Sequence, residues 1–341
     1  MSGTGMAGAD VGRTMRGGSS QLADIQAPVR ADLDRVASEM WRMVAEDFPL
    51  IDGVNQHLMG MKGKMFRPTL LLLANAVEER RDPRATTLAA ALELIHLGTL
   101  VHDDAVDHSV LRRGMPTVNS LFSHQISVIM GDFLYTRALR ELVRIGEIEV
   151  MRVITQASND MTVGEMRQLV AFDKLAFSED DYDLLIKAKT ASLMGAACEV
   201  GALLGAPRHR AALATYGLRL GMAFQVADDL LDYTAASEET GKPTGLDLRE
   251  HKVTIPLIAA MRDMTPAARA RVDALFATPS PTDEQIAEVV GIVTELGGLE
   301  YARRKGDEYV QEAEESLAGL PDTPARAALH EAIAYVLERR S

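Results

Sequence analysis

Apolar segments with the spacing of α-helices follow one another along nearly the whole chain, and this succession limits the possible folds most strongly. Ala, Leu, Met, Glu and Arg are abundant, aromatic residues make up only 5% of the chain, and runs that alternate polar and apolar residues between turns are missing. The predicted helical segments cover residues 28–48, 68–80, 82–104, 120–145, 147–171, 179–205, 208–234, 252–263, 282–318 and 323–339.

Many of these segments are apolar over most of their surface, so they must pack inside a large bundle or at a subunit interface. We therefore predict an all-α fold, with one large bundle of ten or more helices over residues 25–341. A helix is expected to start with Pro68 at its first position. We predict turns over 48–68, a loop over 277–285 and a disordered leader, rich in Gly and Ser, over 1–24.

Composition excludes several classes of protein. A formal net charge of −13 argues against a nucleic-acid-binding protein, which needs a basic surface. The one cysteine, Cys198, rules out a disulfide within the chain and favours a reducing, cytoplasmic compartment. Its small, apolar neighbours predict that it is a buried packing residue. No apolar run approaches the roughly 20 residues that cross a membrane, so no integral membrane segment is expected.

An unusual cluster of carboxylates ends one of the apolar segments. Asp103, Asp104 and Asp107 follow "ELIHLGTLVH", and Arg112 and Arg113 come soon after. Asp103 and Asp107 are four residues apart, so on a helix both carboxylates lie on one face, where like charges repel. For a single cluster of this kind, a solvated helix end is the simpler interpretation.

The same pattern recurs at the end of a second apolar segment, where Asp228, Asp229 and Asp232 follow "LGMAFQVA". The outer aspartates are again four residues apart. Two matched clusters at the ends of buried helices indicate two walls of one central cavity. Carboxylate oxygens that face each other suit Mg²⁺, which keeps several waters and bridges carboxylates to substrate phosphates. The two clusters therefore predict a magnesium site that binds a phosphorylated ligand.

Phosphate requires further positive charge, and basic residues occur at intervals along the chain. Any one of them alone is more often a surface side chain, and the sequence has no GxxxxGK[ST] phosphate loop. Together they could bind two diphosphates through charge-assisted hydrogen bonds. The candidates, with one threonine, are Lys64, Arg67, Arg112, Arg113, Lys189, Thr190, Lys242 and Lys252.

With these residues in place, the sequence resembles the trans-isoprenyl diphosphate synthases of the polyprenyl synthetase family. "DDAVD" with "LRRG" is similar to the first aspartate-rich motif of that family, and "FQVADDLLD" is similar to the second. "GKMFRP", "ELIH", "GDFL", "KT" and "GKPTGLDLREHKVTIP" occur in the family's order, from about residue 28 to the C-terminus. Two departures are Met65, where the family usually has a basic residue, and His251, where it usually has glycine.

The resemblance implies an all-α isoprenoid synthase fold, a homodimer and a prenyltransferase activity. The expected reaction joins isopentenyl diphosphate head to tail to an allylic diphosphate. About three Mg²⁺ ions would help to remove diphosphate from the allylic substrate. The double bond of isopentenyl diphosphate would then attack the allylic cation, and a proton would be lost to the released diphosphate.

The resemblance also implies roles for individual residues. The expected metal ligands are Asp103, Asp107, Asp228 and Asp232. The catalytic set adds Asp104, Asp229, Lys189 and Lys242. The residues expected to face the allylic diphosphate are Arg112, Lys189, Thr190, Gln225, Lys242 and Lys252. Those expected to bind isopentenyl diphosphate are Lys64, Arg67, His96 and Arg113.

Other classes remain alternatives at this point. A di-iron carboxylate bundle uses two Glu-x-x-His motifs, and "ELIH" is the one copy in the sequence. A class I terpene cyclase would not need Lys64 with Arg67 or a second Asp-rich cluster. A non-catalytic subunit of a heteromeric synthase would be expected to have lost one cluster, and both are present here.

Product length is expected to depend on the helix that carries the first cluster. Thr99 lies one turn before Asp103, about 6 Å away along the helix axis, and Gly98 is beside it. In the family, bulky aromatic residues at these two positions resemble a floor that stops short products. Small residues here predict a product longer than fifteen carbons, with farnesyl or geranylgeranyl diphosphate as the alternative. The tunnel would end near Ile95 or at 129–136, unless Gly98 and Thr99 merely allow close helix packing.

Overall fold

The computed structural model describes residues 18–61, 63–171, 175–234 and 245–338, and nearly all of them belong to helices. The first half contains α1 (Gly18–Gln26), α2 (Arg30–Val44), α3 (Pro49–Gly60), α4 (Phe66–Asn75), α5 (Arg84–Val106), α6 (Val118–Leu121), α7 (His124–Ile145) and α8 (Ile148–Ala171). The second half contains α9 (Glu179–Ile186), α10 (Ser192–Gly205), α11 (Arg210–Thr234), α12 (Leu246–Arg249), α13 (Ile255–Met261), α14 (Pro266–Phe276), α15 (Asp283–Glu295), α16 (Gly298–Leu317) and α17 (Pro324–Glu338).

Short irregular elements connect these helices. A 3₁₀ turn, Ala27–Val29, joins α1 to α2, and another, Pro207–His209, joins α10 to α11. A π-helical turn, Lys187–Ala191, joins α9 to α10. Between α5 and α6 the chain forms a small antiparallel hairpin, β1 (Leu111–Arg112) and β2 (Met115–Pro116). The prediction of an all-α bundle of more than ten helices is confirmed.

The centre of the bundle is formed by α4, α5, α10 and α11, with α7 and α16 packed around them. Every residue of α4 except Arg67 is buried. The close approach of α10 to α4 requires glycine, because a Cβ at Gly201 would lie 2.1 Å from the carbonyl oxygen of Leu71. A Cβ at Gly205 would lie 1.9 Å from that of Asn75. The two aspartate-bearing helices, α5 and α11, both pack against α10 in this core.

Helices α10 and α5 bear on two predictions that were made from composition. Cys198 on α10 is a free, fully buried thiol, as predicted. Helix α5 is long and apolar enough, by length and composition, to cross a membrane, although no such run was expected. Of its most apolar window, 61% is buried inside the protein. A helix in the middle of a bundle is apolar around most of its circumference, which accounts for this composition.

The stretch 48–68 was predicted to consist of turns, and this prediction is wrong. Residues Pro49–Gly60 form α3, with Pro49 at the first helical position. Val54 and Leu58 are four residues apart and both buried, so burial of one face stabilises the helix despite its two glycines.

The start of α4 also differs from the prediction. The helix begins at Phe66, two residues before Pro68. Proline is tolerated at this third position because the first amide groups of a helix have no intrahelical acceptor. The residue before the helix, Met65, has a left-handed backbone with φ of 51°.

One helix boundary and one whole helix in the C-terminal third were not predicted. The segment 282–318 is divided into α15 and α16 by Gly297, whose φ of 73° is readily adopted only by glycine. Helix α14 was missed altogether. It begins after Thr265, whose side-chain oxygen accepts a hydrogen bond from the amide of Ala268. The predicted loop at 277–285 is confirmed up to Thr282, where α15 starts.

The predicted leader, 1–24, overlaps the first described helix. Residues 1–17 lie outside the described residues. Residues 18–24 belong to α1, which packs on α17, and Ile25 near its end is fully buried. The helical region therefore begins before residue 25. Gln26 at the end of α1 donates a hydrogen bond to the carbonyl oxygen of Lys64, 2.9 Å away, and so connects α1 to the segment before α4.

Candidate active site

A cavity of about 720 Å³ lies among α4, α5, α8, α11, α17 and the π-helical turn. It brings together most of the residues that were predicted from the sequence. The predicted residues in its wall are Lys64, Arg67, His96, Thr99, Asp103, Asp107, Arg112, Arg113, Lys189, Thr190, Gln225 and Asp228.

Other predicted residues lie elsewhere. A smaller adjoining cavity, about 180 Å³, is lined by Asp229 and Lys252 and shares Lys189, Thr190 and Gln225 with the large one. Asp104, Asp232 and Gly98 line neither cavity. Lys242 lies outside the described residues.

The first carboxylate cluster divides into two parts. Asp103 and Asp107 face the large cavity, as their spacing on one helix face predicts. Asp104 is buried, and both of its oxygens lie 2.9 Å from Nε of Arg112. Burial, and then the nearby Glu165 carboxylate, raise the pKa of Asp103 to about 6. The Lys189 and Arg112 cations lie close enough to oppose this shift.

Arg112 and Arg113 are positioned by the β-hairpin. Arg112 pairs with Met115 across the hairpin, and Arg113 and Gly114 form its two-residue turn with φ of 52° and 74°. Positive φ at both central residues is typical of a type I′ turn. The guanidinium of Arg113 reaches the "GKMFRP" segment, where a Cβ at Gly63 would lie 3.1 Å from it. Glycine at 63 thus leaves space for Arg113.

The second cluster shows the same division. Asp228 faces the large cavity, whereas Asp229 is 3% exposed and accepts hydrogen bonds from Tyr182 at 2.6 Å and Gln225 at 2.8 Å. In each cluster the middle aspartate is therefore held by the protein and an outer one faces the cavity.

The position of Asp232 differs from that expected for a metal ligand. Its two oxygens accept hydrogen bonds from the backbone amides of Leu246, at 3.0 Å, and Asp247, at 3.1 Å. These amides are at the start of α12, where hydrogen-bond donors point out of the helix. Asp232 therefore caps α12, and its predicted place in the wall of the large cavity is wrong.

Lys189 and Thr190 lie on the π-helical turn, a form that is frequent at functional sites. Nζ of Lys189 lies 2.8 Å from Glu165 and donates to Gln168 at 2.7 Å, both on α8. The hydroxyl of Thr190 donates to Oε1 of Gln225 at 2.8 Å. The turn thus carries a cation and a hydroxyl to the wall opposite the first cluster.

A second group of cations occupies the wall formed by α4 and α5. Nη1 of Arg67 lies 3.0 Å from Nε2 of His96. Burial, followed by the nearby charges of Arg67 and Arg113, lowers the pKa of His96 well below its usual value. His96 is therefore neutral and accepts the hydrogen bond from Arg67. His96 is not paired with a second Glu-x-x-His motif, as a di-iron carboxylate site would require.

Glu93 is a functional candidate that sequence reasoning missed. Its carboxylate lies beside the Arg67 and Arg113 guanidiniums, and burial raises its pKa despite their charges. Lys64 has a missed partner as well, because its Nζ donates to the hydroxyl of Tyr335 at 2.9 Å. Further unpredicted wall residues are Phe66, Glu165, Gln168 and Phe224. None of them belongs to a recurring motif, so no pattern in the sequence distinguishes them.

The two departures from the family pattern have local explanations. Met65 lines the cavity, where it presents a thioether in place of a basic group. His251 has φ of 55°, a conformation that favours glycine but which histidine adopts more readily than most residues. Nε2 of His251 lies 3.0 Å from the carbonyl oxygen of Thr278, and its ring lies 5.6 Å from that of Phe276. These contacts hold the strained backbone in place.

The two residues proposed to limit product length, Thr99 and Gly98, lie in different surroundings. Thr99 lines the cavity. Gly98 instead contacts α7, since a Cβ there would lie 3.2 Å from the carbonyl oxygen of Gly131, so its predicted role in the tunnel is wrong. Ile95 is fully buried, and neither it nor residues 129–136 line the cavity. The apolar wall comes from α8, through Met161, Met166 and Leu169.

The carboxylates in the large cavity fit a hard divalent cation. Asp103 and Asp107, at the end of α5, and Asp228, on α11, could supply oxygen ligands. In the described part of the chain, no three His, Cys, Asp or Glu side chains converge closely enough to hold an ion by themselves. This arrangement suits Mg²⁺, which is usually held by one or two carboxylates with water and substrate phosphates.

Comparisons with known proteins agree with this site. The family model described as Polyprenyl synthetase matches residues 48–293. Octaprenyl diphosphate synthase of Escherichia coli is 36% identical over 310 residues, which are 90% of this chain and 96% of that protein.

Solved structures give the same result. A decaprenyl diphosphate synthase from Rhodobacter capsulatus superposes with a TM-score of 0.89 at 37% identity, covering 94% of this chain and 99% of that one. A polyprenyl synthase from Caulobacter crescentus, complexed with calcium and isoprenyl diphosphate, has a TM-score of 0.88 at 32% identity, covering 94% and 98%. The chain therefore belongs to the polyprenyl synthetase family and is a prenyltransferase.

Proposed function

We propose that the protein joins isopentenyl diphosphate head to tail to an allylic diphosphate and makes an all-trans polyprenyl diphosphate longer than fifteen carbons. The main observation is that one cavity combines two carboxylate clusters, two groups of cations and an apolar wall. The relative from Caulobacter crescentus was solved with calcium and isoprenyl diphosphate, which supports this assignment. Relatives named octaprenyl and decaprenyl diphosphate synthase support a long product.

At the allylic end, we propose that Asp103, Asp107 and Asp228 hold divalent metal, with Mg²⁺ as the natural ion and about three per site. Bound metal would neutralise the negative charge that develops on the departing diphosphate. Asp232 would take part indirectly, by holding α12 beside Lys252.

The cations of this end are oriented by acidic and amide partners. Asp104 directs Arg112, while Glu165 and Gln168 direct Lys189 towards the diphosphate. Thr190, Gln225, Lys252 and Lys242 complete the proposed set. Because these charges are positioned before the substrate binds, little reorganisation is needed as the carbon–oxygen bond breaks.

At the other end, Lys64, Arg67 and Arg113 would bind the diphosphate of isopentenyl diphosphate, and neutral His96 adds a hydrogen bond without adding repulsion. The nearby Glu93 would reduce the mutual repulsion of the two arginines. The apolar wall excludes water from the allylic cation while the double bond attacks it. The final proton passes to the released diphosphate.

The function is tested by mixing the purified protein with Mg²⁺ and each substrate, separately and together. We expect diphosphate release and a lengthened product only when both substrates are present. A terpene cyclase would release diphosphate from the allylic substrate alone, and a non-catalytic subunit would release none under any condition. Either of these results would exclude the proposal.

Product length gives a separate prediction. Thr99→Phe is expected to shorten the product by several isoprene units, because a phenyl ring at this position would project into the cavity between α5 and α8. A long tail is favourable in the wild type, since burial contributes roughly 0.8 kcal/mol per methylene. Mass analysis of dephosphorylated products measures the change.

Thr99→Ser is the matched control for product length, because it keeps a small hydroxyl side chain. It should leave the product distribution unchanged. If the wild type made only farnesyl diphosphate, or if Thr99→Phe left the product length unaltered, the limiting residue would have to lie elsewhere.

We also propose a homodimer formed through α7 and α8. Ile129, Val143 and Ile148 are 64%, 64% and 73% exposed, and Val128 and Met166 are exposed on the same two helices. Several large apolar side chains exposed on two neighbouring helices are typical of an interface. A second copy is the expected partner because most soluble oligomers are symmetric dimers of identical chains.

Sedimentation at micromolar concentration should show twice the mass of one chain. Ile129→Asp should shift the protein towards monomer, because a carboxylate would be buried without a partner. Val110→Asp, at an equally exposed apolar position near the hairpin, should leave the dimer intact. A wild-type monomer at this concentration would contradict the proposal.

The proposed location is the cytoplasm. The single cysteine is buried and forms no disulfide, and burial raises the pKa of the Cys198 thiol far above its usual value. A protonated, inaccessible thiol fits a protein that folds in a reducing compartment.

A further inference from the structure

Tyr182 lies at the buried start of a chain of hydrogen bonds that ends in the wall of the large cavity. Its side chain is 1% exposed, and its hydroxyl donates to Oδ2 of Asp229 at 2.6 Å. Oδ1 of Asp229 accepts from Nε2 of Gln225 at 2.8 Å. Oε1 of Gln225 in turn accepts from the hydroxyl of Thr190 at 2.8 Å. Tyr182 does not line the large cavity, but it lines the small adjoining one, at the end where Asp229 and Gln225 also lie.

This chain fixes the orientation of the groups that face the cavity. Asp229 accepts a hydrogen bond on each oxygen, so the Gln225 amide must direct its nitrogen towards Asp229. Its carbonyl oxygen then points towards Thr190 and accepts the hydroxyl proton. Without the Tyr182 hydroxyl, Asp229 could rotate towards another donor. The donor and acceptor of each later hydrogen bond would then no longer be fixed.

The helix that carries Tyr182 is also held by polar contacts with α16. Nζ of Lys305 lies 2.8 Å from Glu179 and 2.8 Å from Asp183, which are four residues apart on α9. The hydroxyl of Tyr309 donates to Asp183 at 2.8 Å, and that of Tyr301 donates to Glu179 at 2.7 Å. An isolated helix of this length is unstable in water, so α9 depends on these polar contacts with α16 and on its packing against α8, α11 and α13.

Helix α9 runs directly into the π-helical turn that carries Lys189 and Thr190. The short helix α9 therefore connects the polar contacts on α16 to two parts of the diphosphate-binding wall, α11 and the π-helical turn. Its inner face supports α11 through Asp229, and its C-terminal end determines the start of the π-helical turn.

We propose that Tyr182 is a positioning residue for the allylic diphosphate, acting through Asp229 and Gln225 on Thr190. The inference rests on the proposed function, because it assumes that this wall binds the allylic substrate. Isopentenyl diphosphate, which is assigned to the wall formed by α4 and α5, should be insensitive to Tyr182.

Tyr182→Phe tests the proposal because it removes only the hydroxyl. Tyr216→Phe is the matched control. Tyr216 is also fully buried on a core helix, and its hydroxyl donates at 2.7 Å to the carbonyl oxygen of Leu329, away from both cavities. Steady-state kinetics with each substrate varied in turn, and thermal unfolding of each variant, are the measurements.

Tyr182→Phe should raise KM for the allylic diphosphate about tenfold, the size expected for losing a hydrogen bond to a charged group. KM for isopentenyl diphosphate should stay at the wild-type value. Both variants should lower Tm by similar amounts, since each loses one buried hydrogen bond. Tyr216→Phe should change neither KM.

Lys305→Met provides a second test. It substitutes no residue that lines a cavity, and it removes the contacts of Lys305 with Glu179 and Asp183 on α9. It should raise the allylic KM in the same selective way. If either variant raised both KM values equally, or if Tyr182→Phe matched Tyr216→Phe in all parameters, the proposal would be overturned. An inactive wild type would instead contradict the proposed function.

Discussion

Asp103→Ala and Asp228→Ala are each expected to lower kcat/KM by about a thousandfold. Metal-held charge at the departing diphosphate contributes several kcal/mol, and each ~1.4 kcal/mol corresponds to a factor of ten in rate. Asp103 and Asp228 come from different helices and both face the large cavity. Loss of either carboxylate would remove a proposed metal ligand, and no neighbouring side chain would replace it. Initial rates with both substrates and saturating Mg²⁺ give the comparison.

The control for these variants is Asp273→Ala. Asp273 is an exposed carboxylate on α14 that pairs with Arg269 at 2.9 Å and lines neither cavity. It should retain wild-type kinetics. If Asp103→Ala or Asp228→Ala remained within tenfold of the wild type while folded, the proposed metal site would be wrong.

Removal of divalent metal is expected to abolish turnover and leave the helices intact. Activity should vanish because three carboxylates, Asp103, Asp107 and Asp228, share one cavity with the departing diphosphate and would repel it unless metal neutralises them. The fold should survive because α5 and α11 are held by burial of their apolar faces in the core. Chelation followed by titration with Mg²⁺ measures turnover, and circular dichroism follows helicity in the same samples.

Treatment with chelator already saturated with Mg²⁺ controls for other effects of the reagent. It should leave turnover unchanged. Full turnover in the metal-depleted sample would contradict the mechanism. Loss of helicity on chelation would show that the metal also stabilises the fold.

Patterns that depend on neighbouring residues could be predicted from the sequence. Helical periodicity predicted the all-α bundle, because it is repeated within each segment. The spacing of four predicted that Asp103 and Asp107 share a face, and the structure confirms that both face the cavity. Helices α3 and α14 were missed because their short apolar faces are stabilised by contacts with distant parts of the chain rather than by local spacing.

Local pattern was least informative where one side chain meets another from far along the chain. From the sequence, Asp104 and Asp229 were expected in the catalytic set beside the four metal ligands, and no partner side chain could be predicted for either. In the structure Asp104 is held by Arg112, and Asp229 by Tyr182, 47 residues away. Similarly, Glu93 had no distinguishing feature until α4 and the hairpin brought Arg67 and Arg113 beside it.

The sequence by itself determined the class of fold, the two matched carboxylate clusters and the family resemblance that the comparisons confirm. Each of these depends on residue type and on spacings of a few residues. Tertiary structure alone decided that Asp232 caps α12, that Gly98 packs on α7 and that Thr99 faces the cavity. The physical reason is that a helix fixes the relative directions of its own side chains, whereas packing against other helices decides which face meets the cavity.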